Sequence, residues 1–464
     1  MEKKQLKRKY RIKICNRLII PVLILLILSG CGRVRKETVS DKGELDHDIT
    51  VSNDTIKPDG KILLSKAGYE PEGSKLAILT GLLEEKEYEV IDLNNDEVVF
   101  TGSIRYKNET GIIDFSDYSK EGSYYIKTAS DVCSDDFNIS SNAYRQLLAE
   151  RISRFGETAK DEEEINKGNF PYHCLSITDR LLTQEFFPSA IDTEAVDDPM
   201  IIPRTVLLAK SEIDKFKEMP DENGEFKARY SFGLSETYRY TAIMALFAYE
   251  YERFDKVYAT ECLKLAEAVY KRAEKDYKDK TGKDRKEADD KRYWASAQLY
   301  KLTGRNEYRK TAEEYANDPP KGFSKERCGY LGTVAYLTSY NRINLNIGEL
   351  LITALMDDIN DAVRESFKGE YLVAVKAEPD AKEIETIYEN ARLMVLGNYI
   401  FKNIRYIEAG ENQAAYLFGR NPLGKDYAFD TGSEYYNEPM EFILAGLIDS
   451  YLYEDKKPEA MKRQ

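Results

Sequence analysis

The chain has 464 residues, of which 42% are hydrophobic and 32% are charged, so a folded globular body is expected and wholesale disorder is excluded. A chain of this length suggests about two to four domains. The formal net charge of −14 at pH 7 excludes nucleic-acid binding through a basic surface, whereas uncharged polymers such as polysaccharide remain compatible partners.

Residues 1–30 have the features of a lipoprotein signal peptide. The basic segment MEKKQLKRKYRIKICNR is followed by an apolar run of 11 residues, Leu18 to Leu28, which is short for a membrane span and typical of a signal peptide. Leu-Ser-Gly-Cys then ends at Cys31, as in a bacterial lipobox. We expect residues 1–30 to be removed and Cys31 to be lipidated, so that the protein is anchored to the bacterial cell membrane and faces outside. The alternative is an uncleaved anchor.

The loss of residues 1–30 removes eight basic residues and one acidic residue, so the net charge goes from −14 to −21. Histidine is also scarce, since only His47 and His173 occur, and none of the six cysteines forms a CxxC pair. These counts argue against a zinc site or a site built on several histidines, and no cofactor is expected; a structural calcium ion, which oxygen ligands bind, is left open.

Two patterns divide the remainder of the chain. Residues 31–60 are polar and aperiodic and are predicted to be a flexible tether. Residues 61–140 contain short β-branched and aromatic runs separated by turns, which predict an immunoglobulin-like β-sandwich; these runs are KLAILT, YEVIDL, EVVFTGSI, GIIDF and SYYIKT. Residues 141–464 instead show helical spacing of apolar residues with short connections, as in TYRYTAIMALFAYEYERF. This favours stacked helical hairpins, either in a closed ring or in an open repeat.

Several segments resemble glycoside hydrolase family 9, the cellulase family with an N-terminal immunoglobulin-like module and an (α/α)6 barrel. Five segments match the family in the right order: LLSKAGYEPEGSKLAIL, DFSDYSKEGSYYI, NAYRQLLAERISRF, RYWASAQLYKLTGRNEY and YLFGRNPLG. The resemblance implies an immunoglobulin-like sandwich followed by an (α/α)6-type barrel, and an inverting endo-β-1,4-glucanase that acts on β-glucan polysaccharide. The resemblance also implies a deletion after Pro203, where the family has a further pair of helices, so a trimmed barrel is expected.

The resemblance also implies catalytic residues. SAIDTEAVD aligns without a gap with the family's catalytic loop, which implies that Asp197 is the general base and Glu194 its helper. Asn437-Glu438 matches the family's general-acid segment, so Glu438 is the predicted acid. An inverting glycosidase needs such a pair, one carboxylic acid for the leaving oxygen and one carboxylate for the water. Glu438 is equally explained as a residue in the first turn of a helix capped by Asn437.

Other features depart from the family. The loop has lost its glycines and its tryptophan, and the family's His-His-Arg segment is absent before Glu438. His173 is interpreted as structural rather than functional. Four tyrosines near the matched segments are candidates for stacking on sugar rings: Tyr388, Tyr427, Tyr435 and Tyr436. These departures leave a second hypothesis open, a non-catalytic surface lipoprotein that binds glycan or a protein partner.

Overall fold

The computed structural model describes residues 60–81, 84–158, 165–191, 201–230, 232–317, 327–375, 379–430, 433 and 438–452. Residues 61–464 form one compact unit. The predicted signal peptide, Cys31 and most of the tether lie outside the described residues. In the described part of the chain, no helix combines the length and apolar character needed to cross a membrane.

The first part of this unit is a β-sandwich. Its strands are β1 Lys61–Leu63, β2 Leu76–Thr80, β3 Glu87–Asp92, β4 Val98–Ser103, β5 Arg105–Lys107, β6 Thr110–Asp114, β7 Gly122–Thr128 and β8 Phe137–Ile139. They form two four-stranded sheets in the orders β1-β2-β6-β5 and β4-β3-β7-β8, and every strand pair is antiparallel. The predicted β-sandwich is confirmed.

Alternation along the strands builds the sandwich core. In β7, Tyr124, Ile126 and Thr128 are buried while Tyr125 and Lys127 are partly exposed, as expected for a strand with one face inward. Tyr69 packs edge-on against Phe115 and Phe137, with ring centroids 5.2 and 5.6 Å apart. Aromatic rings packed in this way stabilise the core beyond the area they bury.

Helices follow from residue 143. They are α1 Ala143–Thr158, α2 Phe170–Phe186, α3 Pro188–Ile191, α4 Arg204–Lys217, α5 Leu234–Tyr251, α6 Lys256–Asp279, α7 Gly282–Thr303, α8 Asn306–Ala316, α9 Arg327–Leu337, α10 Leu345–Ser366, α11 Ala381–Ile400, α12 Ile404–Leu417 and α13 Glu441–Leu452. Sequence signals set several of their ends. Asp380 and Glu383 form a capping box that starts α11, and Gly304 ends α7 in the left-handed conformation with φ 70°.

The helices close into a ring. Strongly buried helices such as α5 and α9 are followed in the chain by more exposed ones, α6 and α10. The last helix, α13, packs against α1, α2 and α11, so the end of the chain returns to its start, as in an (α/α)6 barrel and unlike an open repeat. Among the described helices, α4 and α5 follow Pro203, and the expectation of a deletion at this point stays a prediction.

Close packing between neighbouring helices depends on small residues. At Gly332 in α9, a β-carbon would lie 2.5 Å from two ring carbons of Tyr293 in α7. At Gly410 in α12, the nearest atom to a β-carbon would be Leu447 Cδ2 at 3.6 Å, which is an ordinary contact. Gly332 is therefore required by the packing of α9 on α7, whereas Gly410 is not required by packing.

The turn after α12 attaches the barrel to the sandwich. Arg420 is buried and donates to the main-chain oxygen of Leu76 in β2 at 3.3 Å and to Asn412 Oδ1 at 2.7 Å. Asn421 donates to the main-chain oxygens of Tyr416 and Lys425 and so closes the turn. The motif GRNPLG is thus an architectural element that fixes α12 against the sandwich.

A second buried contact joins the two parts. Glu411 in α12 accepts a hydrogen bond from the main-chain N–H of Ser74 at 2.9 Å and another from the Tyr451 hydroxyl of α13. Burial raises the pKa of Glu411 to about 7, although both hydrogen bonds and Lys75 oppose the shift. The neighbouring Glu70 carboxyl also has its pKa raised to about 7, chiefly by burial. The junction therefore holds two carboxyl groups that favour the protonated form.

Candidate active site

Glu438 lies just before α13, and its main chain is held by two arginines. Arg151 of α1 donates to the main-chain oxygen of Glu438, and Arg392 of α11 donates to that of Pro439. Both arginine side chains are buried, whereas the Glu438 side chain is 18% exposed. The backbone of Glu438 is thus fixed by the barrel while its carboxyl group reaches solvent.

The carboxyl groups of Asp179 and Glu389 and the guanidinium groups of Arg327 and Arg392 lie beside Glu438. Arg392 Nε donates to Asp179 Oδ1 at 2.9 Å, and its Nη1 donates to Glu389 Oε1 at 2.9 Å. Arg327 Nε also donates to Glu389 Oε1, at 2.9 Å. Glu438 Oε1 lies 3.7 Å from Arg392 Nη2. Arg327 and Arg392 therefore donate to Asp179 and Glu389, whereas neither is seen to bond the Glu438 carboxyl group among the described residues.

The pKa values of Glu389 and Glu438 are shifted in opposite directions. Burial alone would raise the pKa of Glu389, but Arg327 and Arg392 outweigh burial and lower it to about 2. For Glu438 burial is the largest effect and raises the pKa above its ordinary value, because the same two arginines oppose it only in part. A carboxyl group with a raised pKa on a partly exposed side chain has features expected of a general acid.

Asp179 is the third carboxyl group of the cluster. Burial raises the pKa of Asp179, and Arg392 opposes this shift. Its Oδ1 accepts from Arg392, and its Oδ2 accepts from the main-chain N–H of Phe442 at 2.9 Å. Asp179 thus uses both oxygens as hydrogen-bond acceptors and links Arg392 to the start of α13.

A second buried network continues from α13 towards α4. Arg180 lies between Glu441 and Glu212, with its Nε 3.5 Å from Glu441 Oε1 and its Nη1 bonded to Glu212. His173 Nδ1 lies 2.9 Å from the other oxygen of Glu212. The interpretation of His173 as a structural residue fits this arrangement, because its ring takes part in a link between α2 and α4.

The predicted base and its helper, Asp197 and Glu194, lie outside the described residues. The segments that flank them are described. Before the loop, Phe187 packs on Phe442 of α13 with ring centroids 5.1 Å apart. After the loop, Pro203 precedes α4, which packs against α2. Both ends of the loop are thus anchored to helices that also hold the segment after Glu438.

Of the four tyrosines predicted to stack on sugar rings, two lie within the described residues and two do not. Tyr435 and Tyr436 lie outside the described residues. Tyr388 has no exposed surface, and Tyr427 is 5% exposed and lies parallel to Tyr416 with centroids 6.5 Å apart. Neither ring has a free face for a sugar, so the prediction that Tyr388 and Tyr427 bind substrate is corrected: both are core residues.

Sequence reasoning missed Asp179, Arg327, Glu389 and Arg392. The signal was present, because each of the helices α2 and α11 places charged residues inside an apolar run, as in SITDRLL and ENARLMVL. A charge at a buried position of a helix requires a partner. Among the described residues, no group of three or more His, Cys, Asp and Glu side chains is arranged to hold a metal ion, and Cys133, Cys174, Cys262 and Cys328 are free thiols.

Comparison with known proteins gives matches to both parts of the chain. Residues 57–132 match the cellulase N-terminal ig-like domain, and residues 204–458 match glycosyl hydrolase family 9. The second range contains Glu438 but begins after Glu194 and Asp197. Endoglucanase D of Acetivibrio thermocellus is 22% identical over 470 residues, covering 82% of this chain and 74% of that protein.

Solved structures show the same fold. A single mutant of a thermostable endoglucanase from Alicyclobacillus acidocaldarius superposes with a TM-score of 0.69 at 16% identity, covering 84% of this chain and 99% of that one. A family 9 protein of Bacteroides ovatus gives a TM-score of 0.65 at 15% identity, covering 84% and 98% of the two chains. Because the family match spans more than half of the chain and the barrel and sandwich are both present, this protein belongs to glycosyl hydrolase family 9.

Proposed function

We propose that the protein is an inverting endo-β-1,4-glucanase of cellulase type, with Glu438 as general acid, Asp197 as general base and Glu194 assisting Asp197. The observation that carries this proposal is the state of Glu438, a partly exposed carboxyl group whose pKa is raised by burial and whose main chain is fixed by Arg151 and Arg392. The family membership and the endoglucanases among its relatives indicate the substrate class.

The reaction needs one proton donor and one proton acceptor. Protonated Glu438 donates its proton to the glycosidic oxygen as the bond between that oxygen and the anomeric carbon breaks. Water attacks the anomeric carbon from the opposite face, and the Asp197 carboxylate takes the proton that the water loses. Glu438 ends ionised and Asp197 ends protonated, and exchange with solvent restores both. The configuration at the anomeric carbon is inverted.

The experiment compares reducing-sugar release from soluble β-1,4-glucan by the wild type, Asp197→Asn and Glu438→Gln. Each variant is expected to lose about 100-fold or more, because each removes one proton transfer. The matched control is Glu385→Gln, which changes an exposed glutamate on α11. Proton NMR of the first product distinguishes inversion, which gives the α-anomer, from retention. A wild type without turnover on any β-glucan, or full activity in both variants, removes the proposal.

We also propose that the protein is held at the cell surface by a lipid on Cys31. The support is the basic segment, apolar run and Leu-Ser-Gly-Cys sequence that precede the fold. Incorporation of radiolabelled palmitate into the wild type and not into Cys31→Ala tests it. Equal labelling of the two proteins, or none in either, overturns it.

A further inference from the structure

Hydrogen-bond acceptors surround the Arg392 guanidinium, and they determine which groups it can bond. Its Nε and Nη1 donate to Asp179 and Glu389, each at 2.9 Å, and its Nη2 donates to the main-chain oxygen of Pro439. The same Nη2 lies 3.7 Å from Glu438 Oε1, which is longer than a hydrogen bond. Arg392 thus binds the backbone next to Glu438 but does not bond its carboxyl group.

Asp179 connects this arginine to the start of α13. One of its oxygens accepts from Arg392 and the other accepts from the main-chain N–H of Phe442. Arg151 completes the frame by donating to the main-chain oxygen of Glu438. The segment from Glu438 to Phe442 is therefore held at three main-chain atoms by side chains from α1, α2 and α11.

The hydrogen bonds of the cluster are distributed unevenly over its carboxyl groups. The guanidinium groups of Arg392 and Arg327 donate to Asp179 and Glu389. Near Glu438, Arg392 Nη2 lies 3.7 Å from Oε1, and the Arg151 guanidinium donates to the main-chain oxygen. The Glu438 carboxyl group therefore has cations nearby but accepts no hydrogen bond from Arg327 or Arg392.

We propose that Asp179 and Glu389 are positioning residues for the general acid: they bind Arg392 so that it fixes the backbone next to Glu438 and makes no hydrogen bond with the Glu438 carboxyl group. This inference rests on the proposed role of Glu438. A network that only stabilises the barrel would have the same contacts, so the test must report on the proton of Glu438 and not only on the amount of activity.

Removal of a carboxylate and removal of a guanidinium group should shift the pKa of Glu438 in opposite directions. Glu389→Gln removes a carboxylate and releases Arg327 and Arg392 to interact with Glu438, which lowers the pKa of Glu438. The alkaline limb of the pH–rate profile is then expected to move to lower pH by about one pH unit. Arg327→Gln removes a cation that favours ionised Glu438, so the same limb is expected to move to higher pH. The exposed control Glu385→Gln is expected to leave the limb in place.

A measurement without turnover separates this inference from the proposed function. In protein labelled with carbon-13 at the glutamate carboxyl groups, the Glu438 resonance is assigned by its absence in Glu438→Gln. Its titration is then followed in the wild type, Glu389→Gln, Asp179→Asn and Arg327→Gln. We expect a lower midpoint in the first two variants and a higher one in the third, and circular dichroism establishes that each variant is folded.

The possible results are distinct. Opposite shifts of the Glu438 midpoint support the positioning role, including when no substrate is turned over. Midpoints equal to that of the wild type in folded Glu389→Gln and Arg327→Gln overturn it, even if Glu438→Gln abolishes hydrolysis and the proposed function stands. Conversely, if Glu438→Gln remains fully active, the proposed function fails whatever the titrations show.

Discussion

The junction between sandwich and barrel should weaken as pH rises, because it contains Glu411. In the folded protein burial raises the pKa of this carboxyl group from 4.5 to about 7. Below about pH 4.5 the folded and unfolded chains both carry the proton. Above that pH the unfolded chain releases it first, so the free energy of unfolding falls until about pH 7 and is then constant with respect to this group.

The magnitude follows from the two pKa values. A difference of about 2.5 pH units corresponds to a loss of about 3 kcal/mol across this window. Glu70, whose pKa is also raised to about 7, adds to the loss, but Glu411 contributes to the shift of Glu70, so the two effects are not additive. Lys75, Tyr451 and the Ser74 N–H all favour ionised Glu411 and limit the effect.

The perturbation is Glu411→Gln, which has no titrating proton and keeps an oxygen that can accept from Ser74. Melting temperatures of the wild type and the variant are measured from pH 4.5 to 8 at constant ionic strength. We expect the melting temperature of the variant relative to that of the wild type to increase by a few degrees as pH rises, which corresponds to about 3 kcal/mol. The exposed control Glu349→Gln should follow the wild type at every pH. Parallel curves for Glu411→Gln and the wild type would refute the reasoning.

Further predictions concern packing and buried polar groups. Gly332→Ala should lower the free energy of unfolding by about 1–3 kcal/mol because the new methyl group meets the Tyr293 ring, whereas Gly410→Ala should raise it by up to about 1 kcal/mol; thermal melts of the two variants check both signs. Arg420→Ala should cost about 3 kcal/mol, because acceptors of the sandwich and of α12 lose their donor, and a melt no lower than that of the wild type would contradict this. Tyr388→Phe should leave the rate of hydrolysis and the free energy of unfolding unchanged, since among the described residues the Tyr388 hydroxyl has no hydrogen-bond partner. A large rise in KM would instead indicate that Tyr388 contacts the substrate.

The architecture could be predicted because it depends on local patterns. Alternation in segments such as SYYIKT predicts strands, and the spacing in TYRYTAIMALF predicts a helix that becomes α5. Closure of the helices into a ring did not follow from these patterns, since it depends on contacts between α13 and α1 at opposite ends of the barrel domain. The charged cluster was missed for the same reason: Asp179 and Arg392 are far apart in sequence, and only the fold brings them to 2.9 Å.

The segments that carried the family resemblance are mainly architectural. Trp294 and Tyr300 are 3% exposed in α7, and Arg420 and Asn421 fix the turn after α12. Such residues persist as long as the fold must be stable, with or without catalysis, so they establish kinship and leave chemistry open. Glu438 differs, because burial raises the pKa of its carboxyl group, so its ionised form costs stability. Carboxyl groups in such surroundings are more common at functional sites than elsewhere. Its surroundings, rather than the matched motifs, are therefore the structural argument for hydrolysis.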